Sequence, residues 1–575
     1  MIDFKHEVIK LVKEKLPHLI ESSISVPPNP NMGDFALPCF PYAKEMGKSP
    51  VEIAKHLAAE IKPNKFVKEI KAEGPYLNFF INKEKYIEQV LLDCDTKKER
   101  FGSEDKKEET IVIDYGGPNV AKNMGIHNLR STIIGQAIYN AFQFLGYNTV
   151  GVNHLGDWGT QFGKLIWALE KWSGPEELKE KGILFLNKIY VDFHKLEDEL
   201  KTQGKESEVE KMEDEARAWF KRIEDEDKRA KMWWKIFVEI SMEEYNAIYD
   251  RLGISFDSVL GESFYIQFLD DTIRTLEEKN LTTIDDGALV IKFDDADNNE
   301  NMPPCLLRKR DGATLYGTRD IAAALYRLKT YNPSKILYVV DVAQSLHFKQ
   351  WFKVMEMLDS KNKEKFVHIS FGRLSFPDVD MSTRKGNIVP LKEVLDKAHE
   401  KSLEIIKVKS PELKHKDEVA EIVGVGAIIF GDLSNDRLHN VVFEWEKVLD
   451  FQGETAPYIQ YTYARIRSIL RKEDATSEDF AASYLSEPSE FEIVKKLADY
   501  NNVLNQVIIN YKPSILARYI IELAQQFNKY YVETPILKEG VDENTKKARI
   551  FLISAVSTVI KSGMSLLCIK VPEKM

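Results

Sequence analysis

A chain of 575 residues is too long for one hydrophobic core, so three or four domains are expected. With 43% hydrophobic and 30% charged residues and a mean hydropathy of −0.33, the composition is that of a soluble globular protein. A net charge of −11 excludes a blanket electrostatic binder of nucleic acid, while leaving RNA recognition through local basic patches open.

Residues 1 to about 105 read as a small α+β domain. Its opening, MIDFKHEVIKLVKEKL, mixes charged and apolar residues at helical spacing and is not read as a signal peptide. A Pro-rich turn (Pro27, Pro28, Pro30), a second helix near 50–61 and a strand from Tyr76 to Ile81 follow. The charged run 97–110 is a linker by composition.

Residues 106–390 read as a doubly wound α/β domain. Ile111 to Tyr115 is a short apolar strand suited to a parallel sheet. A loop with Gly116, Gly117 and Pro118 leads to a helix near Asn128, and a strand from Asn148 to Val152 completes a β-α-β unit. From about 165 to 300 the chain reads as a charged, mostly helical insertion. The α/β pattern then resumes: a strand end at Thr314–Tyr316, a helix at 320–328, a strand at 336–341 and a helix at 344–358. Residues 391–450 are a helical connection and 451–575 an all-α bundle, with helices at 419–430, 456–471, 490–509, 515–531 and 546–567. No apolar run approaches the roughly 20 residues a bilayer requires. Four scattered cysteines (Cys39, Cys94, Cys305, Cys568) without a CxxC pair argue against a disulfide framework or structural zinc and for a reducing cytoplasm.

Three constellations could carry chemistry. In the loop Gly116–Asn128, Lys122 and His127 sit beside a helix start, a setting that suits a polyphosphate; a glycine-rich surface loop is the plain alternative. Asp380-Met-Ser-Thr-Arg-Lys-Gly-Asn387 places two adjacent cations and two hydroxyls in one loop that could close over a triphosphate, or could simply be a solvated turn. Asp114, Tyr316, Asp320, Gln344 and His347 all stand at strand ends or helix starts, so a crevice bearing carboxylates is expected. Its natural guest is a guanidinium, which a carboxylate can accept bidentately. Capping by Thr318 and Asp320 would explain one of these carboxylates but not the set.

At this point the chain resembles a known family. IDYGGPNVAK (113–122), LRSTIIGQA (129–137), VNHLGDWGTQFGKL (152–165), LYGTRD (315–320), QSLHFKQ (344–350) and MSTRKGN (381–387) are similar to arginyl-tRNA synthetases of class I. The likeness extends to NMGDFALPCF (31–40) and GPYLNFFINK (74–83), to 451–472 and 516–537, and to the closing GMSLLCIKVPEKM. The resemblance implies a Rossmann domain split by an insertion, preceded by a tRNA-contacting domain and followed by an anticodon-binding bundle. It implies arginine, ATP with Mg2+, and arginine tRNA as partners, arginyl-adenylate as intermediate, no membrane, and action as a monomer. Asn119 and Gln344 match positions holding the amino acid's α-amino end. Tyr316 and Asp320 match those reading the guanidinium, and Asp114 matches an acid of the same pocket. Asn153, His154 and the Gly-Asp-Trp-Gly run would line the crevice. ATP is expected against Lys122, Gly125, His127, Asn128, His347, Met381, Ser382 and Lys385, and the catalytic set against Lys122, His127, Asn128, Ser382, Arg384 and Lys385.

Two signatures depart from the class pattern. The usual His-x-Gly-His reads Gly125-Ile-His127-Asn128, or with a one-residue slip keeps only His127. The usual Lys-Met-Ser-Lys-Ser reads Asp380-Met-Ser-Thr-Arg384, and the family's upstream lysine corresponds to Lys122. These changes leave a second reading, a catalytically degraded RNA-binding relative. Another class I ligase, for cysteine or glutamate, fits the acidic pocket poorly. For the bundle, Tyr458, Tyr461, Phe527, Tyr530 and Tyr531 are candidates to stack on anticodon bases and Arg465, Arg467 and Arg471 to meet phosphate; core packing and surface solvation are the plain alternatives.

Overall fold

The computed structural model describes residues 4–29, 32–293, 302–310, 312–375, 389–473 and 475–575. The chain begins with the helix Phe4–Lys13, then β1 (Phe35–Pro38), the helix Pro50–Glu60, β2 (Val67–Glu73) and β3 (Tyr76–Ile81). Ser49 and Glu52 form a reciprocal cap ahead of Pro50, which starts that helix where the pattern predicts it. The strands pair antiparallel in the order β1-β3-β2, and Leu37, Leu77, Phe79, Ile53 and Leu57 fill the space beneath the helices. The helix Lys83–Lys97, capped by Asn82, leads out of this unit.

The central sheet contains β4 (Thr110–Asp114), β5 (Asn148–Asn153), β6 (Ser258–Val259), β10 (Lys335–Asp341) and β11 (Phe366–Phe371), all parallel, in the order β11-β10-β4-β5-β6. Strand order reverses between β4 and β10, so the crevice for a ligand lies beyond Asp114 and Asp341 at their carboxyl ends. The helix Ile126–Phe144 runs back from that end and buries Leu129, Ile133, Ile134, Ala137 and Ile138.

The insertion is mostly helical, and it also holds a small sheet. Its first half is helical, at Thr160–Trp172, Pro175–Thr202, Glu206–Glu224 and Lys228–Leu252, around Phe162, Trp167, Phe193, Trp233 and Phe237. Its second half holds a turn of helix at Glu262–Tyr265, the helix Leu269–Glu278 and an antiparallel sheet of β7 (Thr283–Asp285), β8 (Ala288–Ile291) and β9 (Cys305–Arg308). Tyr316 is not in a strand end: it opens the helix Tyr316–Tyr331, and only Thr314 makes an isolated bridge, to Arg308.

Beyond the helix Ser345–Leu358, β12 (Leu374–Ser375) pairs with β13 (Val441–Val442). The helices Leu391–Lys409 and Lys416–Leu433 pass into a bundle of Ala456–Leu470, Pro488–Ala498, Tyr500–Asn510, Pro513–Glu533 and Glu543–Leu566. The last of these is long and apolar enough to cross a membrane by length and composition, but most of it is buried in the bundle. The four cysteines are unpaired.

Candidate active site

β4 delivers Asp114 to the crevice and then turns sharply. Gly116 has φ +84°, and a Cβ there would meet the Phe256 ring at 3.0 Å. The Gly116 N–H donates to Ser131 Oγ (3.1 Å), which donates to the Val339 carbonyl (2.7 Å), so the loop is tied to both the helix Ile126–Phe144 and β10. The Gly117 N–H donates to the buried Asn153 Oδ1 at 3.0 Å. Asn119 is exposed, with its side chain over Gly156, where a Cβ would stand 2.2 Å from Asn119 Oδ1. Ala121 holds φ +68°, a left-handed conformation costly to a residue with a Cβ, just ahead of Lys122. Tyr245 Oη donates to the carbonyls of Asn119 and Lys122, both at 2.7 Å, and holds that loop.

Lys122 is half-buried, its ammonium 5.6 Å over the ring of Tyr190 from the insertion. Burial lowers its pKa. Gly125 is the extended residue before the helix Ile126–Phe144, and Asn128 Oδ1 accepts its N–H at 3.1 Å. The Asn128 amide oxygen is thereby committed to capping, and its Nδ2 group is what it can offer a ligand. His127, exposed on the first turn, has a pKa lowered by its surroundings and by the Lys122 cation, with Asp341 opposing. The Ile126 N–H donates to the Val389 carbonyl (3.0 Å) and the Leu391 N–H to the Met124 carbonyl (2.8 Å). Residues 389–391 are thus laced to the first signature. Asp380, Met381, Ser382, Thr383, Arg384, Lys385, Gly386 and Asn387 lie outside the described residues.

The acidic side of the crevice is not a set of open carboxylates. Asp114 Oδ2 lies 2.7 Å from Arg327 Nη1, and the Arg327 side chain is 1% exposed. Asp320 Oδ2 lies 2.6 Å from His347 Nε2. A third carboxylate, Glu262, accepts from Arg319 Nη1 at 2.7 Å. Burial pushes the Glu262 pKa up to about 7; Arg319 opposes this, and Asp320 and Asp157 add to it. Arg319 also lies 4.8 Å over the ring of Tyr316, which is 63% exposed. Arg327 Nη2 contacts His154 Nδ1 at 3.2 Å, and His154 stacks on Tyr265 at 5.3 Å. With a permanent cation at Nδ1, that imidazole accepts there, and burial lowers its pKa. Gln344 is exposed before the helix Ser345–Leu358. Thr318 caps nothing: its hydroxyl donates to the Leu307 carbonyl at 2.6 Å.

Sequence reasoning missed Arg327, Glu262 and Tyr190. Arg327 was findable: it stands two helical turns after Asp320, on the same face.

In the bundle, Arg465 lies between Tyr461 (4.9 Å) and Tyr531 (5.4 Å) and donates to Asn528 Oδ1 at 2.6 Å. Tyr458, Tyr461, Arg465, Asn528 and Met575 border a cavity of 690 Å³. Phe527 and Tyr530 are core residues. Arg467 and Arg471 bond to Glu573, at 2.8 and 2.9 Å.

Residues 87–445 match the model of the class I tRNA synthetase catalytic domain of the arginine type, 459–575 a DALR anticodon-binding domain, and 3–81 an arginyl-tRNA synthetase N-terminal domain. The arginine–tRNA ligases of Halothermothrix orenii (43% identical) and Clostridioides difficile (41%) align over the whole of both chains. Among solved structures, arginyl-tRNA synthetase from Thermus thermophilus covers 99% of this chain and 100% of its own (TM-score 0.81, 22% identical). That from Plasmodium falciparum covers 99% and 98% (0.76, 24%).

Proposed function

The chain belongs to the arginyl-tRNA synthetase family, class I, and on that premise we propose how its crevice works. It is an arginine–tRNA ligase: it joins arginine to its tRNA through arginyl-adenylate, using ATP. The arginine carboxylate attacks the α-phosphorus and pyrophosphate leaves. The 2′-hydroxyl of the terminal adenosine of the tRNA then takes the arginyl group and AMP leaves. Neither step requires a protein nucleophile; both depend on alignment and on stabilising charge at phosphate.

The observation that carries the site assignment is the pairing of Asp114, Asp320 and Glu262 with Arg327, His347 and Arg319. Asp320 and His347 share a hydrogen bond that an incoming guanidinium can replace with a bidentate pair, and Tyr316, steadied by Arg319, borders the same place. A lysine ammonium, a point charge, matches that fork less well. Asn119 and Gln344 hold the α-amino end. Lys122, His127 and the Asn128 Nδ2 group serve the phosphates at the helix start, joined by His347, Met381, Ser382, Arg384 and Lys385. Among the described residues no trio of His, Cys, Asp or Glu is grouped to hold a metal, and the crevice acids already have partners. We take Mg2+ to enter as part of the nucleotide substrate. The cavity beside Tyr461 and Arg465 receives an anticodon base by stacking. We take the enzyme to act as a monomer with no membrane partner, as the family resemblance implies.

The test is charging. Purified protein with Mg2+–ATP, arginine and its tRNA should form arginyl-tRNA. Intact tRNA binding without charging, and no heat of ATP or arginine binding by calorimetry, would instead establish the degraded RNA-binding relative.

A further inference from the structure

We propose that Arg327 is a positioning residue for arginine recognition: it holds Asp114 by one oxygen and turns the other to the substrate guanidinium. The inference rests on the ligase reading, and on the placement of Asp114 in the arginine pocket.

Arg327 belongs to the helix Tyr316–Tyr331, which also carries Tyr316 and Asp320. Its side chain is almost completely buried, which is exceptional for arginine. Nη1 meets Asp114 Oδ2 at 2.7 Å, Nη2 meets His154 Nδ1 at 3.2 Å, and the guanidinium lies 5.5 Å over the Tyr338 ring. Three walls of the crevice, β4, the segment after β5, and β10, therefore converge on one cation. The Asp114 side chain is 12% exposed, so its remaining oxygen is the part a ligand can reach. A guanidinium on each oxygen would make Asp114 a bridge between resident and substrate arginine, with geometry set before the substrate arrives.

The charge environment demands the pair. Around the pair, His154 is acted on by Asp114, Asp320 and Asp157 together with Arg327, and Tyr338 on β10 and Tyr265 of the Glu262–Tyr265 turn are each acted on by both Asp114 and Arg327. Arg327 is the permanent cation among them. Without it, a nearly buried carboxylate has no permanent cation beside it, which disfavours its charged form.

The experiment compares wild type with R327M, R327K and D114N/R327M. Arginine dissociation constants by calorimetry and arginine KM and kcat in charging are taken from pH 6 to 8, each as a ratio to wild type. R327M should show an arginine Kd and KM ratio that rises as pH falls, by up to about tenfold per pH unit, with kcat at saturation within about threefold. R327K keeps the cation and should give a flat ratio. D114N/R327M leaves no buried charge unpaired and should bind arginine weakly at every pH. Where R327M does not accumulate folded, the flat ratio of R327K and the weak, pH-independent binding of the double variant carry the test. A flat ratio in folded R327M, or wild-type affinity in the double variant, overturns the proposal while leaving the ligase reading intact. Wild type that binds arginine with these variant effects but charges no tRNA overturns the ligase reading alone.

Discussion

Asp320→Asn isolates the charge that reads the substrate, because the amide keeps the shape of the carboxylate and one of its two acceptors. In the free protein Asp320 lies 2.6 Å from His347, and both side chains are 31% exposed. Truncating one partner of a desolvated charge pair costs about 2–5 kcal/mol. Solvent at a third of the surface places this site in the lower half of that range, about 2–3 kcal/mol, or roughly 30- to 150-fold in kcat/KM for arginine. The loss should fall mainly on KM, since the guanidinium is remote from the bond being made and is held alike before and during reaction. Charging of tRNA with labelled arginine, at saturating ATP and tRNA over a wide arginine range, measures it. His347→Gln is the control: it leaves the carboxylate charged and should change KM far less. An arginine KM for D320N within about threefold of wild type, in protein of unchanged thermal midpoint, would refute the assignment.

Arg130, 1% exposed, lies 2.8 Å from the buried Asp432 and donates to the carbonyls of Gly372 and His439 at 2.6 and 2.9 Å. R130M should weaken the fold by about 3–5 kcal/mol, read as a lowered urea midpoint, and R130M/D432L should recover at least half of the loss. Equal or additive losses in the double variant would show that the unpaired charge is not the cause. Tyr190→Leu removes the ring beneath Lys122 and should lower kcat/KM for ATP about two- to thirtyfold, whereas Tyr190→Phe should match wild type. If both behave alike, the ring is not what matters. Glu262 has a pKa raised to about 7, so its contribution to stability is fully present below its ordinary carboxylate pKa and is lost as pH rises through about 7. Glu262→Gln removes that loss: its thermal midpoint should gain on wild type between pH 5 and 7.5, above a constant offset from the unpaired Arg319. A pH-independent difference would contradict this.

The parts legible in the sequence are those with a local cause. Ile111 to Asp114 reads as a buried strand because both of its faces are covered, and Gly116, Gly117 and Pro118 mark the turn after it. Tyr316 and Asp320 fall on one face because they are one turn apart, although the helix containing them starts four residues before the predicted 320. The strands β7 to β9 escape notice because three or four residues cannot establish a period of two, and apolar Ile284 and Leu306 stand at exposed positions. β11 escapes for a different reason: its burial depends on β10 and the helix Ser345–Leu358, not on its own alternation. Within the site, the sequence shows which groups carry charge but not which of them neutralise one another. Arg327 with Asp114, and Tyr190 with Lys122, are partners only through long excursions of the chain. The Asn128 cap is legible in retrospect, as an amide three residues after Gly125.

The reversal of strand order between β4 and β10 also dictates when the crevice can exist during synthesis. β10 must find β4 across roughly 220 intervening residues, and closing so long a loop costs about 3 kcal/mol more than closing one of about ten residues. The insertion helices have a core of their own around Trp167 and Trp233 and can condense while that closure is pending. The backbone bonds from Met124 and Ile126 to Val389 and Leu391 form later still, once the chain has passed 391. The parts that bind arginine and nucleotide therefore assemble near the end of folding, and a nascent chain stalled before Arg327 holds Asp114 without its cation.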